Sequence, residues 1–156
     1  MNRAADWLAT CFGLGRVSYA PGTLASAVAT LCGVPLVLVG WKALVPGFVA
    51  ITAIGIPACG AYARARRIHD PGDCVLDEVA GQWLALIPVA VALEGHYWPA
   101  YFVAFLAFRL FDIWKPWPVW WAEQRLPGGT GIVADDVVAG FYAALVVFGM
   151  IRAGWL

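Results

Sequence analysis

The chain has 156 residues, enough for one domain, and ten basic side chains balance ten acidic ones. Its residues are 62% hydrophobic and only 13% charged, and the mean hydropathy of +0.76 lies far above that of soluble globular proteins. This composition excludes an ordinary water-soluble enzyme and is typical of an integral membrane protein. Four cysteines without a CxxC pair, together with two histidines, do not favour a Cys/His zinc site.

A short amphipathic segment opens the chain. Apolar side chains recur there at helical spacing: Ala4, Trp7, Leu8, Cys11 and Phe12. This pattern over residues 3–12 predicts a helix lying on the membrane surface. The glycine-rich residues 13–23 follow, with a turn signal at Pro21 and Gly22, and Thr23 is placed to cap the first apolar helix.

Five apolar segments are predicted to cross the membrane wholly or in part. They cover residues 24–39, 45–63, 76–93, 97–114 and 136–155. A spanning helix needs about 20 apolar residues, so the third and fourth segments are long enough only with their charged ends and can be short, tilted or re-entrant. Pro116 and Pro118 would end the fourth segment, and the tryptophans around them predict a stretch along the interface. The sequence therefore predicts an all-α, polytopic helical bundle that forms one domain over residues 1–156.

The distribution of basic residues predicts the orientation of this bundle. The hinges at 40–44 and 94–96 are so short that neighbouring helices must be antiparallel, which places residues 1–23, 64–75 and 115–135 on one side. Eight basic residues lie on or beside that side, against two on the other: Arg3, Arg16, Arg64, Arg66, Arg67, Arg109, Lys115 and Arg125, against Lys42 and Arg152. The positive-inside rule places the first group in the cytoplasm.

Acidic residues gather at the same predicted depth, near the cytoplasmic ends of helices. They are Asp77, Glu78, Asp112, Asp135 and Asp136. The helix macrodipole stabilises carboxylates at a helix N-terminus and so accounts for most of them without a ligand, but it disfavours Asp112 near a C-terminus. A bound cation or the flanking bases would account for Asp112. Mg²⁺ takes carboxylate oxygens together with phosphate and water, so these acids are candidates for a magnesium site.

Basic residues beside these acids suit a phosphate. Arg109, Asp112 and Lys115 are spaced i, i+3, i+6 and share roughly one helix face. They are explained either as ion pairs at the membrane edge or as a phosphate clamp, with Arg109 as a fork and Lys115 as a point charge. Arg16, on the same side, can reach a headgroup. The glycines of residues 128–131 predict a flexible loop, which is not a P-loop because GxxxxGK[ST] is missing.

Three sequence blocks stand out: APGT-x-x-S at residues 20–26, DPGDCVLDEVAGQW at 70–83, and FRLFDIWKPWP at 108–118 followed by GGTGIVADDVVAG at 128–140. Together they resemble the phosphatidylglycerophosphatase A family. The resemblance covers nearly the whole chain, in matching order and spacing. It implies an all-helical, Mg²⁺-dependent phosphatase of the bacterial inner membrane that faces the cytoplasm and converts phosphatidylglycerophosphate to phosphatidylglycerol and inorganic phosphate. The expected partners are this lipid and other membrane lipids, without nucleic acid, and the oligomeric state is left open.

The resemblance also implies roles for individual residues. The catalytic set is Asp77, Glu78, Asp112, Asp135 and Asp136. The metal-ligating set is Glu78, Asp112 and Asp136, with Asp135 close behind. The substrate-binding set is Arg16, Thr23, Ser26, Arg109 and Lys115. With no histidine placed to serve the hydroxyl groups as a base, attack by metal-activated water is favoured, and which acid is the general base is left open. Glu123 is a departure, because many members carry Asp there.

Three other functions remain as alternatives. One is a phosphatase acting on another lipid phosphate, such as phosphatidate or a prenyl diphosphate. Another is an ion-coupled transporter, since ionisable residues in membranes often mark ion paths. The middles of the predicted spans carry no charge, however, so no relay crosses the bilayer. The third is a purely structural membrane subunit, which would have no use for a metal site.

Overall fold

The computed structural model describes residues 3–17 and 19–156, and within these residues every regular element is helical. The helices are α1 (Arg3–Ala9), α2 (Pro21–Val39), α3 (Trp41–Arg66), α4 (Leu76–Ala85), α5 (Ile87–Ala92), α6 (Trp98–Trp114), α7 (Val119–Arg125) and α8 (Gly129–Arg152), with a 3-10 turn at Leu14–Arg16. The all-α prediction is confirmed.

Three of these helices are long and apolar enough to cross a membrane. They are α2, α3 and α8, and their most apolar windows have mean hydropathies of 2.0, 1.8 and 1.8. They correspond to the first, second and fifth predicted spans, and the 17 residues of α6 correspond to the fourth. The third predicted span, residues 76–93, is not one helix. It breaks at Leu86 into α4 and α5, because Pro88 in the first turn of α5 has no N–H for a hydrogen bond to the preceding turn.

The central helix α8 begins earlier than predicted, at Gly129 rather than at residue 136. The glycine segment expected to be a flexible loop is therefore the first turn of a helix. A Cβ atom at Gly129 would overlap the Ile56 carbonyl and the Gly60 backbone of α3. Close packing against α3 thus outweighs the low helix propensity of glycine. Asp136 lies inside α8, so the macrodipole at the helix N-terminus does not account for it.

The start of α2 also differs from the prediction. Ala20 is the N-cap and Pro21 is the first helical residue, so Thr23 does not cap the helix and lies exposed in its first turn. Proline favours this first position because its fixed φ is helical and its missing N–H would have had no intrahelical partner. The hinge predicted at residues 40–44 contracts to Gly40, whose φ of 110° joins α2 to α3.

Close packing of α4 on α8 forms the centre of the molecule. Gly81 and Gly140 face each other, and a Cβ atom at Gly140 would overlap the Gly81 carbonyl. A Cβ atom at Gly81 would meet Phe108 and the carbonyl oxygen of Asp136. Small residues let helices approach this closely in membrane proteins. The contact brings the polar part of α8 against the start of α4.

The segments outside the long helices resemble their predicted forms. α1 ends at Ala9, short of residue 12, and packs on α3 with Trp7 exposed. The tryptophans expected at the interface are all exposed: Trp114, Trp117, Trp120 and Trp121. Exposed tryptophans suit the headgroup region of a bilayer, where one edge of the ring is wet and the rest is apolar.

Candidate functional site

Three carboxylates from three helices meet at one end of the bundle. Glu78 lies in the first turn of α4, Asp112 in the last turn of α6, and Asp136 inside α8. One carboxylate oxygen of each lies within 4.8 Å of the other two. We call this group the carboxylate triad. Asp112 and Asp136 are 9% and 4% exposed, and the Glu78 side chain is 12% exposed, so the triad is largely removed from water.

One guanidinium group serves two members of the triad. Arg109 Nη1 lies 2.6 Å from Glu78 Oε2 and 2.6 Å from Asp112 Oδ2. The same nitrogen is 3.4 Å from Ser26 Oγ. Arg109 Nε is buried and has no hydrogen-bond partner among the described residues. The guanidinium therefore retains a donor that its ion pairs leave unused.

The charges of the triad do not balance. The three carboxylates have one guanidinium beside them, which pairs with Glu78 and Asp112, so two negative charges are in excess when all three acids are ionised. Burying charge without a counter-charge costs several kcal/mol per ion. A divalent cation would remove the excess, and a set made only of oxygen ligands suits a hard cation such as Mg²⁺. The residues present therefore fit the metal that the sequence predicts.

The first turn of α2 closes the site on another side. Ser26 Oγ lies 3.0 Å from Glu78 Oε2 and 2.7 Å from the Gly22 carbonyl oxygen. A Cβ atom at Gly22 would overlap Glu78 Oε1 and lie 3.3 Å from Arg109 Nη1. Gly22 thus lets the backbone of α2 approach the triad. Thr23, in the same turn, is exposed.

The two pairs of adjacent acids, Asp77 with Glu78 and Asp135 with Asp136, have the same arrangement. Asp77 Oδ1 accepts the Glu78 N–H at 3.1 Å, and Asp135 Oδ1 accepts the Asp136 N–H at 3.0 Å. Successive residues project about 100° apart around a helix. The second acid of each pair therefore enters the triad, and the first acid faces other partners.

Lys115 is the partner of Asp135. The lysine follows the end of α6 in a left-handed conformation with φ 46°, and its Nζ lies 2.8 Å from Asp135 Oδ2 and 3.0 Å from Glu123 Oε2. Although partial burial opposes the shift, the Asp135 carboxylate and hydrogen bonds to Asp135 and Glu123 raise the pKa of Lys115 above its usual value. The ammonium group therefore stays charged, and it lies with Asp135 rather than with Arg109 and Asp112.

Asp77 lies with two buried thiols. Its carboxylate and the sulfur atoms of Cys59 and Cys74 are within 4.8 Å of one another. A hydrogen bond with Cys59 and burial raise the pKa of the Cys74 thiol. Cys59, Cys74 and Asp77 are 0%, 5% and 6% exposed, so the two thiols pack against Asp77 in the protein interior.

Arg16 belongs to a separate group of charges. Its guanidinium pairs with Asp6, lies 3.2 Å from the Tyr62 hydroxyl oxygen and is 3.6 Å from Asp73. Arg66 pairs with Asp73 at 2.6 Å, and Tyr62 donates to the same carboxylate at 2.6 Å. We call this group the N-terminal ion cluster. The structure does not bring Arg16 to the triad, because these partners hold it against α1 and α3.

Comparisons with known proteins agree with this geometry. The sequence model of the family described as phosphatidylglycerophosphatase A matches residues 7–151. The chain belongs to the phosphatidylglycerophosphatase A family. Its similarity to the phosphatidylglycerophosphatase A of Escherichia coli (strain K12) is 33% identity over 148 residues, which cover 95% of this chain and 84% of that protein. The Haemophilus influenzae protein of the same name is 37% identical over 142 residues, covering 90% and 85%.

A further relative carries a different name. A Bacteroides thetaiotaomicron protein named as a candidate phosphatidylinositol-3-phosphatase is 33% identical over 147 residues, covering 90% of this chain and 89% of that protein. No solved structure matches the chain significantly. The family assignment made from the sequence blocks is confirmed.

Three of the sequence segments on which the resemblance rests build the triad. The block at residues 70–83 supplies Glu78, the block at 108–118 supplies Arg109 and Asp112, and the block at 128–140 supplies Asp136. Of the substrate-binding residues predicted from sequence, the structure brings Ser26 and Arg109 to the triad and leaves Arg16 and Thr23 apart from it.

The sequence does not show two features of this part of the protein. The turn signal at Pro21 and Gly22 does not reveal that the missing side chain of Gly22 makes room for Glu78. Gln82, one turn after Glu78 in α4, is fully buried, and neither its amide nitrogen nor its oxygen has a partner among the described residues. The only sequence signal for it is the spacing of four residues from Glu78, because residues i and i+4 share a helix face.

Proposed function

We propose that the protein is a Mg²⁺-dependent phosphatase that hydrolyses phosphatidylglycerophosphate to phosphatidylglycerol and inorganic phosphate. The observation that carries the proposal is the carboxylate triad, three largely buried acids of which two pair with Arg109, at the end of a helical bundle. Membership of the phosphatidylglycerophosphatase A family supports the substrate. The excess negative charge of the triad supports the metal.

The triad residues Glu78, Asp112 and Asp136 would hold the magnesium ion through their carboxylate oxygens. When bound, Mg²⁺ supplies positive charge for the phosphoryl oxygens and makes a water molecule more acidic. Arg109 would bind the phosphate through the donor that its ion pairs leave unused, and so neutralise charge that develops during transfer. Ser26 orients Glu78 from the side of α2.

The first acid of each pair would position the second. Asp77 and Asp135 accept the backbone N–H of Glu78 and Asp136, which fixes the turn of helix that carries each ligand. Asp135 also holds Lys115, so a second cation lies on this side of the site for the rest of the headgroup. The general base remains one of these two acids or a member of the triad.

We place this site at the cytoplasmic face of the bacterial inner membrane. Eight of the ten basic residues lie on or beside the end of the bundle that carries the triad, and two lie on the other side. The positive-inside rule assigns such an end to the cytoplasm. Three helices long and apolar enough to span a membrane support the embedding.

A second candidate is a phosphatase for another lipid phosphate. The name of the Bacteroides thetaiotaomicron relative favours it, because that relative is as similar in sequence as the Escherichia coli protein. Arg109 and the triad would bind the phosphate, which all such lipids share. Selectivity would then come from groups that contact the rest of the lipid.

The test is phosphate release from phosphatidylglycerophosphate by purified protein in detergent, with and without Mg²⁺, beside phosphatidate and phosphatidylinositol 3-phosphate. We expect release that requires Mg²⁺, is largest with phosphatidylglycerophosphate and disappears in Asp136→Asn. The matched control is Asp73→Asn, which removes a charge from the N-terminal ion cluster. Faster release from another lipid by wild-type protein would reassign the substrate, and release by Asp136→Asn at the wild-type rate would contradict the role of the triad.

A further inference from the structure

An open apolar groove runs along the outside of the bundle between α2 and α6. Its volume is about 360 Å³. It is lined by Ala27, Thr30, Leu31, Val34, Trp98, Tyr101, Phe102 and Phe105. Thr30 is its one hydroxyl from α2, and that hydroxyl donates to the Ser26 carbonyl oxygen at 2.8 Å. The groove therefore offers an almost wholly apolar surface to its occupant.

One end of this groove lies near the two residues that contact the carboxylate triad from α2 and α6. Ser26 of α2 and Arg109 of α6 approach within 3.4 Å. Ala27, which lines the groove, follows Ser26 directly, and Phe105, on the opposite wall, lies one helical turn before Arg109. The groove thus begins within about one helical turn of Arg109, the proposed phosphate-binding residue.

The length of the groove along α2 is close to the thickness of one bilayer leaflet. Eight residues separate Ser26 from Val34, which corresponds to about 12 Å along α2 at 1.5 Å per residue. Half of a hydrocarbon core ~30 Å thick is of similar length. A lipid whose phosphate lies at Arg109 would therefore direct an acyl chain along the groove without leaving its own leaflet.

We propose that this groove binds one acyl chain of the lipid phosphate substrate and so sets the position of its phosphate at Arg109. The inference rests on the proposed function and deepens it. Two features identify the occupant: an apolar surface one leaflet deep and a cation at its polar end, which together match a phospholipid monoester. Burial of the chain would lower the KM for lipids and favour them over water-soluble phosphomonoesters.

A second groove on the protein lacks this continuity. It lies between α1 and α3, has a volume of about 540 Å³, and its one charged lining residue is Arg64. Arg64 is exposed at the end of α3 and belongs to neither the triad nor its partners. The second groove is larger, but a lipid bound there would not present its phosphate to the triad.

The experiment fills the groove with a large side chain and varies the length of the acyl chains of the substrate. Ala27→Trp places a large side chain in the groove, and Ala50→Trp places the same side chain on the exposed face of α3 as a matched control. Steady-state rates are measured with phosphatidylglycerophosphate carrying long acyl chains and with an analogue carrying short ones. We expect Ala27→Trp to raise the KM for the long-chain lipid about tenfold. In Ala27→Trp, the kcat/KM for the short-chain analogue should stay within about twofold of wild type. In Ala50→Trp, the kcat/KM values for both substrates should stay within the same range.

The outcomes distinguish a failure of the groove inference from a failure of the proposed function. Equal KM values for Ala27→Trp and Ala50→Trp on the long-chain lipid would overturn the inference and leave the phosphatase activity standing. Failure of wild-type protein to hydrolyse either substrate would overturn the proposed function, and the inference with it. If Ala27→Trp does not fold, Phe102→Ala decides, because it removes an exposed wall of the groove. A higher KM confined to the long-chain lipid supports the groove, and an unchanged KM contradicts it.

Discussion

Two groups of charged residues in this protein contain the same residue types and differ in balance and burial. In the N-terminal ion cluster, Arg16 and Arg66 match Asp6 and Asp73, and both arginine side chains are 44% exposed. At the carboxylate triad three acids have one basic neighbour, Arg109, which pairs with two of them and whose side chain is 13% exposed. A balanced, exposed cluster needs nothing more to be stable, whereas a buried excess of negative charge calls for a ligand. The comparison separates a structural group from a binding site.

The largest expected effect comes from removing one charge of the triad. Asp136→Asn should lower kcat/KM for phosphatidylglycerophosphate on the order of 10³-fold, because a bound metal stabilises the transition state by several kcal/mol. The melting temperature of the metal-free protein should stay equal or rise, since the substitution relieves repulsion among buried carboxylates. Rates and thermal unfolding of the same preparation check both statements. A lower melting temperature with an unchanged rate would assign Asp136 to stability instead.

A smaller loss of kcat/KM is expected when the guanidinium of Arg109 is replaced by an ammonium group. Arg109→Lys keeps the charge but removes the planar set of donors, so kcat/KM should fall on the order of 10²-fold. The matched control is Arg66→Lys in the N-terminal ion cluster, for which the rate should stay within about threefold of wild type, because pairs at exposed positions contribute little. Equal losses in the two variants would show that Arg109 has no special part in phosphate binding.

A change of one methyl group tests the approach of α2 to the triad. Gly22→Ala would place a Cβ atom against Glu78 Oε1, and the resulting shift of the carboxylate should lower kcat/KM about tenfold. Gly72→Ala is the control, because a Cβ atom at Gly72 meets nothing within 4 Å. Kinetics of the two variants in the same detergent make the measurement. Activity in Gly22→Ala equal to that in Gly72→Ala would exclude a need for close approach.

The smallest effect concerns the N-terminal ion cluster. Partial burial opposes the shift, but hydrogen bonds from Tyr62 and Arg66 lower the pKa of Asp73 below 3.8. A depressed pKa stabilises the fold above the unfolded-state pKa, and this contribution disappears as the pH falls through the lower, folded-state pKa. Asp73→Asn should therefore lower the melting temperature by a few degrees at pH 7, with no loss of kcat. The difference between wild type and variant should shrink below pH 3.8, and a difference that grows there would contradict this account.

Much of the fold follows from patterns that the sequence carries locally. Long apolar segments predicted α2, α3 and α8, and helix ends at one depth predicted that acids distant in the chain would meet. The break at Leu86 could have been inferred from Pro88, because a proline inside a helix removes a hydrogen bond. The start of α8 could not, since the glycines at its first turn pack against residues distant in the chain or at the end of the preceding helix, Gly129 on Ile56 and Gly60 of α3 and Gly131 on the backbone at Leu126.

The sequence predicts only in part which charged residues face the triad and which pair elsewhere. Helical geometry requires Asp135 and Asp136 to point in different directions, but it does not say which of them faces the triad. That choice depends on how α8 is rotated against α4, through the contact of Gly81 with Gly140. Lys115 was expected beside Arg109, and its left-handed conformation after the end of α6 turns it to Asp135 instead. Tertiary packing therefore decided the partners of each charge.

Mn²⁺ binding, followed by electron paramagnetic resonance, would show whether the triad holds a divalent cation. Manganese suits the same oxygen ligands as Mg²⁺, and titration into metal-free protein counts the sites without any need for activity. We predict a site that Mg²⁺ competes for, that Asp112→Asn weakens strongly and that Asp73→Asn leaves intact. Absence of binding by folded wild-type protein, or equal binding by wild type and Asp112→Asn, would contradict the account.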